Sequence, residues 1–86
     1  MWILGRLKKK ELLVDSKIIY TKYNKILLII KSCTILDHIE SCRKIISNYE
    51  KWCTNINLEY RTYKMLINFL NKTLEIKFKS LLDRLP

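Results

Sequence analysis

The chain has 86 residues with one glycine, one proline and 17 Lys+Arg against 8 Asp+Glu, which gives a formal net charge of +9. This length allows one domain with a thin core, and 49% hydrophobic with 29% charged residues is unlike either a disordered tail or a membrane span. Scarce glycine and proline leave little with which to build tight β-hairpin turns or phosphate-binding glycine loops, so the composition favours helices and disfavours nucleotide enzymes.

Residues 1–14 are predicted to form a short N-terminal arm, because this stretch holds the only glycine of the chain, Gly5. The arm is apolar at Trp2, Ile3 and Leu4, and a basic run follows. A secretory signal peptide has these two features in the opposite order, so we expect the protein to stay inside the cell. The longest apolar run has five residues, far below the ~20 of a spanning helix, and we expect no transmembrane segment.

The first helix is predicted to begin at Ser16, with Asp15 or Ser16 as the capping residue. Apolar side chains recur at intervals of three and four residues along one stripe: Ile19, Tyr23, Ile26, Leu27 and Ile30. Leu28 and Ile29 lie off this stripe, so the helix is expected to be apolar on more than one face.

The second helix is predicted to run from about Ile35 to Cys53. Its start has the Thr-x-x-acid form of a capping box, with Thr34 as the cap, and residues 54–57 are expected to form the following turn. One face carries Leu36, Ile39, Cys42, Ile46, Tyr49 and Cys53. The first two helices therefore form a predicted helical hairpin over residues 16–53.

A long third helix is predicted from about Leu58 onward. Its stripe comprises Tyr60, Tyr63, Ile67, Leu70, Leu74, Leu81 and Leu85. Two alternatives remain for its second half: a strand over 74–79, where apolar and polar residues alternate, and a helix break near residues 71–73. Short connections between three helices imply antiparallel neighbours, so the expected fold is all-α, a small three-helix bundle forming a single domain over residues 1–86.

The three cysteines and the single histidine form the only candidate metal set in the sequence: Cys33, His38, Cys42 and Cys53. Cys53 lies about 16 Å along a helix from Cys42, too far for one zinc ion, and no Cys-x2-Cys motif is present. Buried thiols are the preferred interpretation. We expect no metal, no cofactor, no small-molecule substrate and no enzymatic activity, since the usual inventory of an active site is missing.

The positive charge is concentrated at the two ends of the sequence. Residues 1–31 carry a net charge of +6, residues 32–56 are neutral and residues 57–86 carry +3. Lysines of the first part, with tyrosines among them, are typical of a surface that follows a phosphate backbone: Lys8, Lys9, Lys10, Lys17, Lys22 and Lys25. Lysine supplies point charge rather than base readout, so non-specific nucleic-acid binding is the alternative function.

The apolar content exceeds what a three-helix core of this size hides, which favours association with a protein partner or a second copy. The residues expected to contact that partner are Trp2, Ile3, Leu4, Leu28, Ile29 and Phe78, and Phe69 is also left without an obvious neighbour in the bundle. We therefore expect a structural or accessory subunit that works by non-covalent binding.

Residues 32–46, with the sequence SCTILDHIESCRKII, resemble a helical segment of small uncharacterised bacteriophage proteins, including those of single-stranded-DNA phages of gut bacteria. The resemblance covers about a fifth of the chain. It implies a viral accessory or virion protein, located in the host cytoplasm or within the virion, and it assigns no functional residue.

Overall fold

The computed structural model describes residues 12–84, which form three α-helices: α1 (Ser16–Lys31), α2 (Asp37–Asn55) and α3 (Tyr60–Asp83). Each helix packs against both others, and the described residues contain no strand. The all-α three-helix bundle expected from the sequence is confirmed. Trp2, Ile3, Leu4 and Lys8–Lys10, expected to contact partners, lie outside the described residues, as does Leu85 of the third stripe.

At each end of α1 a side chain forms a hydrogen bond with the helix backbone. At the N-terminus, Oδ1 of Asp15 accepts a hydrogen bond of 2.9 Å from the backbone N–H of Lys17, so Asp15 is the cap. At the C-terminus, Lys77 of α3 donates from Nζ to the carbonyl oxygen of Lys31 at 2.9 Å. Both contacts satisfy backbone groups that a helix end leaves unpaired, and each places charge where it complements the helix dipole.

The predicted Thr34 cap of α2 is wrong. The helix begins at Asp37, and Leu36 occupies the N-cap position without a side-chain hydrogen bond. The backbone supplies the partners instead, because the N–H groups of His38 and Ile39 donate to the carbonyls of Ile35 and Leu36 at 3.2 and 3.0 Å. A helical turn of backbone before Asp37 therefore takes the place of the capping side chain.

The turn between α2 and α3 lies slightly later than predicted. Helix α2 extends to Asn55, and residues 56–59 form the connection. Asn57 adopts a positive φ of 64°, a left-handed conformation that asparagine tolerates better than most residues. Leu13 of the arm donates its N–H to the carbonyl of Ile56 at 3.0 Å, which ties the incoming chain to this end of the bundle.

Helix α3 is continuous from Tyr60 to Asp83, about 36 Å at 1.5 Å per residue. Both alternatives for its second half, the strand at 74–79 and the break near 71–73, are therefore wrong. Tyr60 is 63% exposed although it was placed on the buried stripe. Tyr60 lies ten residues before the fully buried Leu70, and this spacing places the two side chains roughly 80° apart around the helix. Leu66, which was not on the predicted stripe, is buried in the core.

The core lies along the common axis of the three helices. The face predicted for α2 is buried, and its Cys42 and Cys53 are 1% and 0% exposed. The other fully buried side chains are Ile19, Ile30 and Leu70, so each helix contributes at least one. Full burial of one such aliphatic side chain stabilises a fold by about 1.5–3 kcal/mol.

One buried hydrogen bond crosses the core between α1 and α2. The hydroxyl of Tyr49 donates to the carbonyl oxygen of Ile19 at 2.8 Å, joining residues 30 positions apart. Burial and neighbouring ionisable groups, Cys53 first among them, raise the pKa of Tyr49. Its phenol therefore stays protonated and keeps the bond. In the described part of the chain no buried side-chain nitrogen or oxygen lacks a hydrogen-bond partner.

Removing this hydroxyl tests the contribution of the hydrogen bond. We expect Tyr49→Phe to lower the free energy of unfolding by about 1 kcal/mol, because the ring still fills the core while the bond is lost. Tyr60→Phe is the matched control, since that hydroxyl belongs to an exposed ring, and its effect should stay within about 0.5 kcal/mol. Urea unfolding measures both variants, and equal losses would contradict the assignment.

Candidate binding surfaces

The outward side of α3 carries an exposed apolar strip within a basic surround. Met65, Phe69 and Ile76 are 62%, 55% and 62% exposed. Their spacing of four and seven residues places them along one line of the helix. Arg61 and Lys72 border the same shallow cleft as Met65 and Phe69. We call these five residues the α3 outer face.

Sequence reasoning identified only part of this surface. Phe69 was expected to lack a neighbour in the bundle, and its ring does meet Tyr23 of α1, with 6.3 Å between centroids, while remaining more than half exposed. Met65 and Ile76 were missed. Their spacing from Phe69 was visible in the sequence, but the heptad stripe of the buried face dominated the pattern of α3.

The three described residues predicted to contact a partner differ in position. Leu28 is 66% exposed, and Ile29 is partly exposed at the edge of a groove between α1 and α2. Phe78 does not lack neighbours within the bundle: it packs against the core, and Cζ of Arg43 lies 5.8 Å from its ring centroid. The α2–α3 contact therefore occupies much of the ring that was expected to be free.

A groove of about 300 Å3 separates α1 from α2 on the other side of the molecule. Its lining is apolar at the bottom and basic along the α1 edge, and we call it the α1–α2 groove. The lining residues are Lys22, Lys25, Ile26, Ile29, Ile45, Asn48, Tyr49 and Trp52. Two of the lysines predicted to contact nucleic acid, Lys22 and Lys25, therefore line the same groove. Lys17 is exposed near the start of α1 and is not among the lining residues.

Trp52 is the functional candidate that sequence reasoning missed. Its ring stacks on Tyr49 with centroids 5.8 Å apart and an interplanar angle of 24°, and Nζ of Lys22 lies 5.1 Å from its centroid. The signal in the sequence was the i, i+3 spacing of the two aromatic residues on α2, which places them side by side. The buried Tyr49 and the half-buried Trp52 thus give the α1–α2 groove an aromatic wall beside the exposed cation of Lys22.

The cysteines separate into a pair and a single residue. Sγ of Cys33 lies 3.2 Å from Sγ of Cys42, and both side chains are buried, whereas Cys53 is buried farther along α2. His38 is exposed and does not join them. No group of three or more metal-ligating side chains occurs among residues 12–84.

Within the sulfur pair, Cys42 holds its proton strongly. The pKa of Cys42 is raised from 9.0 to about 12, first because burial disfavours the thiolate, and then because of the hydrogen bond and charge repulsion with Cys33. Burial also raises the pKa of Cys53. A thiol that stays protonated near neutral pH is a poor nucleophile, so Cys42 and Cys53 are not activated thiols.

A second cleft, of about 600 Å3, lies at the end of the bundle where the arm joins the α2–α3 connection. Leu12, Leu58, Tyr60 and Tyr63 are among its lining residues, and the Tyr60 and Tyr63 rings meet edge to face at 5.4 Å. The cleft is next to the start of the described chain. Glu59 is the only acidic or basic side chain among its described lining residues.

Comparison with known proteins identifies no relative. No protein-family model matches the chain, and no curated protein or solved structure matches it significantly. None of the three described helices is both long enough and apolar enough to cross a bilayer.

The raised pKa of Cys42 predicts a loss of stability at alkaline pH. In the unfolded chain this thiol ionises near pH 9, while in the fold it keeps its proton to about pH 12. Between these values the unfolded state binds fewer protons, so stability is full below pH 9 and falls as the pH rises. We expect Cys42→Ala to reduce the pH slope of unfolding free energy by about one proton.

Urea unfolding at a series of pH values gives the slope, with a phosphine reductant present to keep the thiols reduced. The series begins at pH 8 and extends toward the raised pKa of Cys42. Ser41→Ala, on the exposed side of the same helical turn, is the matched control and should keep the wild-type slope. Identical slopes in all three proteins would contradict the assignment to Cys42.

Proposed function

We propose that the protein acts by non-covalent binding, as a structural or accessory subunit of a larger assembly. The observation that carries this proposal is the α3 outer face, where three large apolar side chains lie more than half exposed on one line. Contiguous exposed apolar surface on a small protein usually marks an interface. Leu28, which is 66% exposed, adds apolar surface on α1, and the sequence predicts that Trp2, Ile3 and Leu4 also contact the partner.

The positive charge around the α3 outer face favours a partner with negative charge. Arg61 and Lys72 flank the apolar side chains, and the chain as a whole carries +9. A second copy brings like charge to the interface, so self-association requires screening by salt, whereas an acidic protein partner is attracted at low salt. The resemblance of residues 32–46 to bacteriophage proteins supports a phage assembly, in the host cytoplasm or in the virion.

Light scattering tests the proposal on the purified chain. We expect a mass above the 10.4 kDa of one chain at high protein concentration, increasing with salt as repulsion is screened. Met65→Ser combined with Phe69→Ser and Ile76→Ser should weaken association about tenfold or more, because apolar anchors dominate interface energy.

Ile35→Ser is the matched control for this measurement, since Ile35 is 51% exposed but lies in the α1–α2 connection, away from the α3 outer face. Circular dichroism confirms that each variant keeps its helices. A chain that remains a monomer at every salt concentration, with no difference between wild type and the triple variant, contradicts self-association through the α3 outer face.

Non-specific binding of single-stranded nucleic acid is the second candidate function, and the α1–α2 groove favours it. Lys22 and Lys25 lie along its edge beside the ring of Trp52, a combination of cation and aromatic surface that suits a phosphate backbone and its bases. A base that stacks on Trp52 displaces the ammonium group of Lys22 from the ring, which frees that cation for a phosphate. Lys17 continues the charge along α1.

A salt titration with labelled oligo-dT tests this candidate. Affinity should fall as a constant power of the salt concentration, and Lys22→Gln with Lys25→Gln should reduce the slope by about 1.4, since each phosphate contact to a single strand contributes about 0.7. Lys44→Gln with Lys51→Gln removes the same charge from exposed positions on α2 and is the matched control. An affinity that ignores salt, or equal losses in both variants, contradicts binding at this groove.

A further inference from the structure

Two of the three cysteines lie in contact at the connection between α1 and α2. Cys33 follows the C-cap Ser32 in the connection, and Cys42 lies in the second turn of α2, with their sulfur atoms 3.2 Å apart. Neither side chain is more than 3% exposed. The separation of nine residues along the sequence means that the connection folds back so that the two thiols meet.

We propose that Cys33 and Cys42 form an intramolecular disulfide when the protein meets a small disulfide oxidant such as oxidised glutathione, so that this pair is a redox-modification site. A disulfide requires sulfur atoms about 2.05 Å apart, so the two sulfurs must approach by roughly 1.2 Å. The proposal does not depend on the proposed function, because the pair lies on neither candidate binding surface.

The neighbours of the pair favour this product over a bound metal or a structural thiol alone. Each sulfur already faces the other, and within residues 12–84 the only other hydrogen bond of the Cys33 sulfur is the one it donates to the carbonyl oxygen of Ile29 at 3.5 Å. A third ligand is missing from the described surroundings, where no cluster of three metal-binding side chains occurs. Two adjacent thiols without a third ligand have disulfide formation as their characteristic chemistry.

The reaction proceeds by two thiol–disulfide exchanges. Cys33 loses its proton to solvent, and its thiolate attacks one sulfur of oxidised glutathione, forming a mixed disulfide and releasing one glutathione thiolate. Cys42 then loses its proton and attacks the Cys33 sulfur, releasing the second glutathione thiolate. The two released thiolates take up the two protons, so two protein thiols are oxidised to one disulfide as one glutathione disulfide is reduced to two thiols.

The positions of the two residues determine this order. Cys33 lies in the connection, where a local opening of a few residues exposes it, whereas Cys42 lies within a helix whose hydrogen bonds hold it in place. Two of the three causes that raise the pKa of Cys42 come from Cys33. Formation of the mixed disulfide removes the Cys33 proton and charge, which eases ionisation of Cys42 for the second step.

Cys53 provides a natural internal comparison. It is as deeply buried as the other two, but it lies eleven positions beyond Cys42 on the same helix, about 16 Å along the axis. The ring of Tyr49 is its neighbour rather than another sulfur. Oxidation should therefore consume two thiols and leave the third.

The test uses the full chain, folded and equilibrated with oxidised glutathione. After denaturation and alkylation without reductant, mass spectrometry should find one alkylated cysteine, Cys53, and proteolysis should yield a Cys33–Cys42 linked peptide. The reduced protein should show all three cysteines alkylated. The closed segment restricts the unfolded chain, so the midpoint of thermal unfolding should rise by about 10 °C on oxidation and return on reduction.

Four variants make the result decisive. Cys33→Ser and Cys42→Ser should each abolish the linked peptide and the thermal shift, whereas Cys53→Ser should keep both. Because Cys42→Ser places a hydroxyl in the core, Cys33→Ala in the connection provides the variant least expected to perturb folding. Three alkylated cysteines after exposure to the oxidant, a disulfide that includes Cys53, or disulfide-linked dimers in place of the internal bridge would each overturn the proposal.

Discussion

The fold depends on a single column of side chains from which water is excluded. Ile30, Cys53 and Leu70 are each 0% exposed, and each belongs to a different helix. The residues that the structure describes form one hydrophobic core, and no second core among residues 12–84 compensates for a loss there. The small volume of cysteine at two of the fully buried positions of α2 lets the other helices approach it closely, while Tyr49 on the same face reaches across to the backbone of α1.

Sequence periodicity predicted the buried face of α2 because that face is the only apolar one on the helix. The same reasoning was less successful on α3, where Leu66 replaced Tyr60 in the core and where an exposed apolar line runs beside the buried one. A helix with two apolar lines does not reveal from its sequence which line faces inward. The prediction of an assembly subunit depended on counting the apolar surplus, and the structure locates part of that surplus on the α3 outer face.

Contacts between elements were beyond the reach of sequence. Thr34 had the pattern of a cap, but the backbone before Asp37 already supplies the acceptors, and nothing in the sequence reveals that competition. The pairing of Cys33 with Cys42 and the position of Lys22 above Trp52 also require knowledge of how the connection and α1 lie against α2. Trp52 was missed for this reason, because its place in the α1–α2 groove depends on Lys22 of the neighbouring helix.

Some lysines contact other helices of the bundle, whereas others are exposed to solvent. Lys64 pairs with Glu50 at 2.9 Å between α3 and α2, which raises the pKa of the lysine, and Lys77 donates to the end of α1. These two lysines of α3 are engaged within the bundle. The side chains of Lys17, Lys22 and Lys25 form no hydrogen bond or ion pair with another helix of the described structure, and all three are exposed, so the positive charge of α1 faces solvent.

The two ends of the bundle hold the chain by different contacts. At one end the hydrogen bond from Leu13 to Ile56 attaches the incoming chain to the α2–α3 connection, and at the other end the Cys33–Cys42 sulfur pair lies at the α1–α2 connection. Helix α1, with 16 residues, separates them by about 24 Å. The Leu13–Ile56 hydrogen bond and the thiol pair are thus about one helix length apart, so a change at the sulfur pair is distant from the point where the incoming chain is attached.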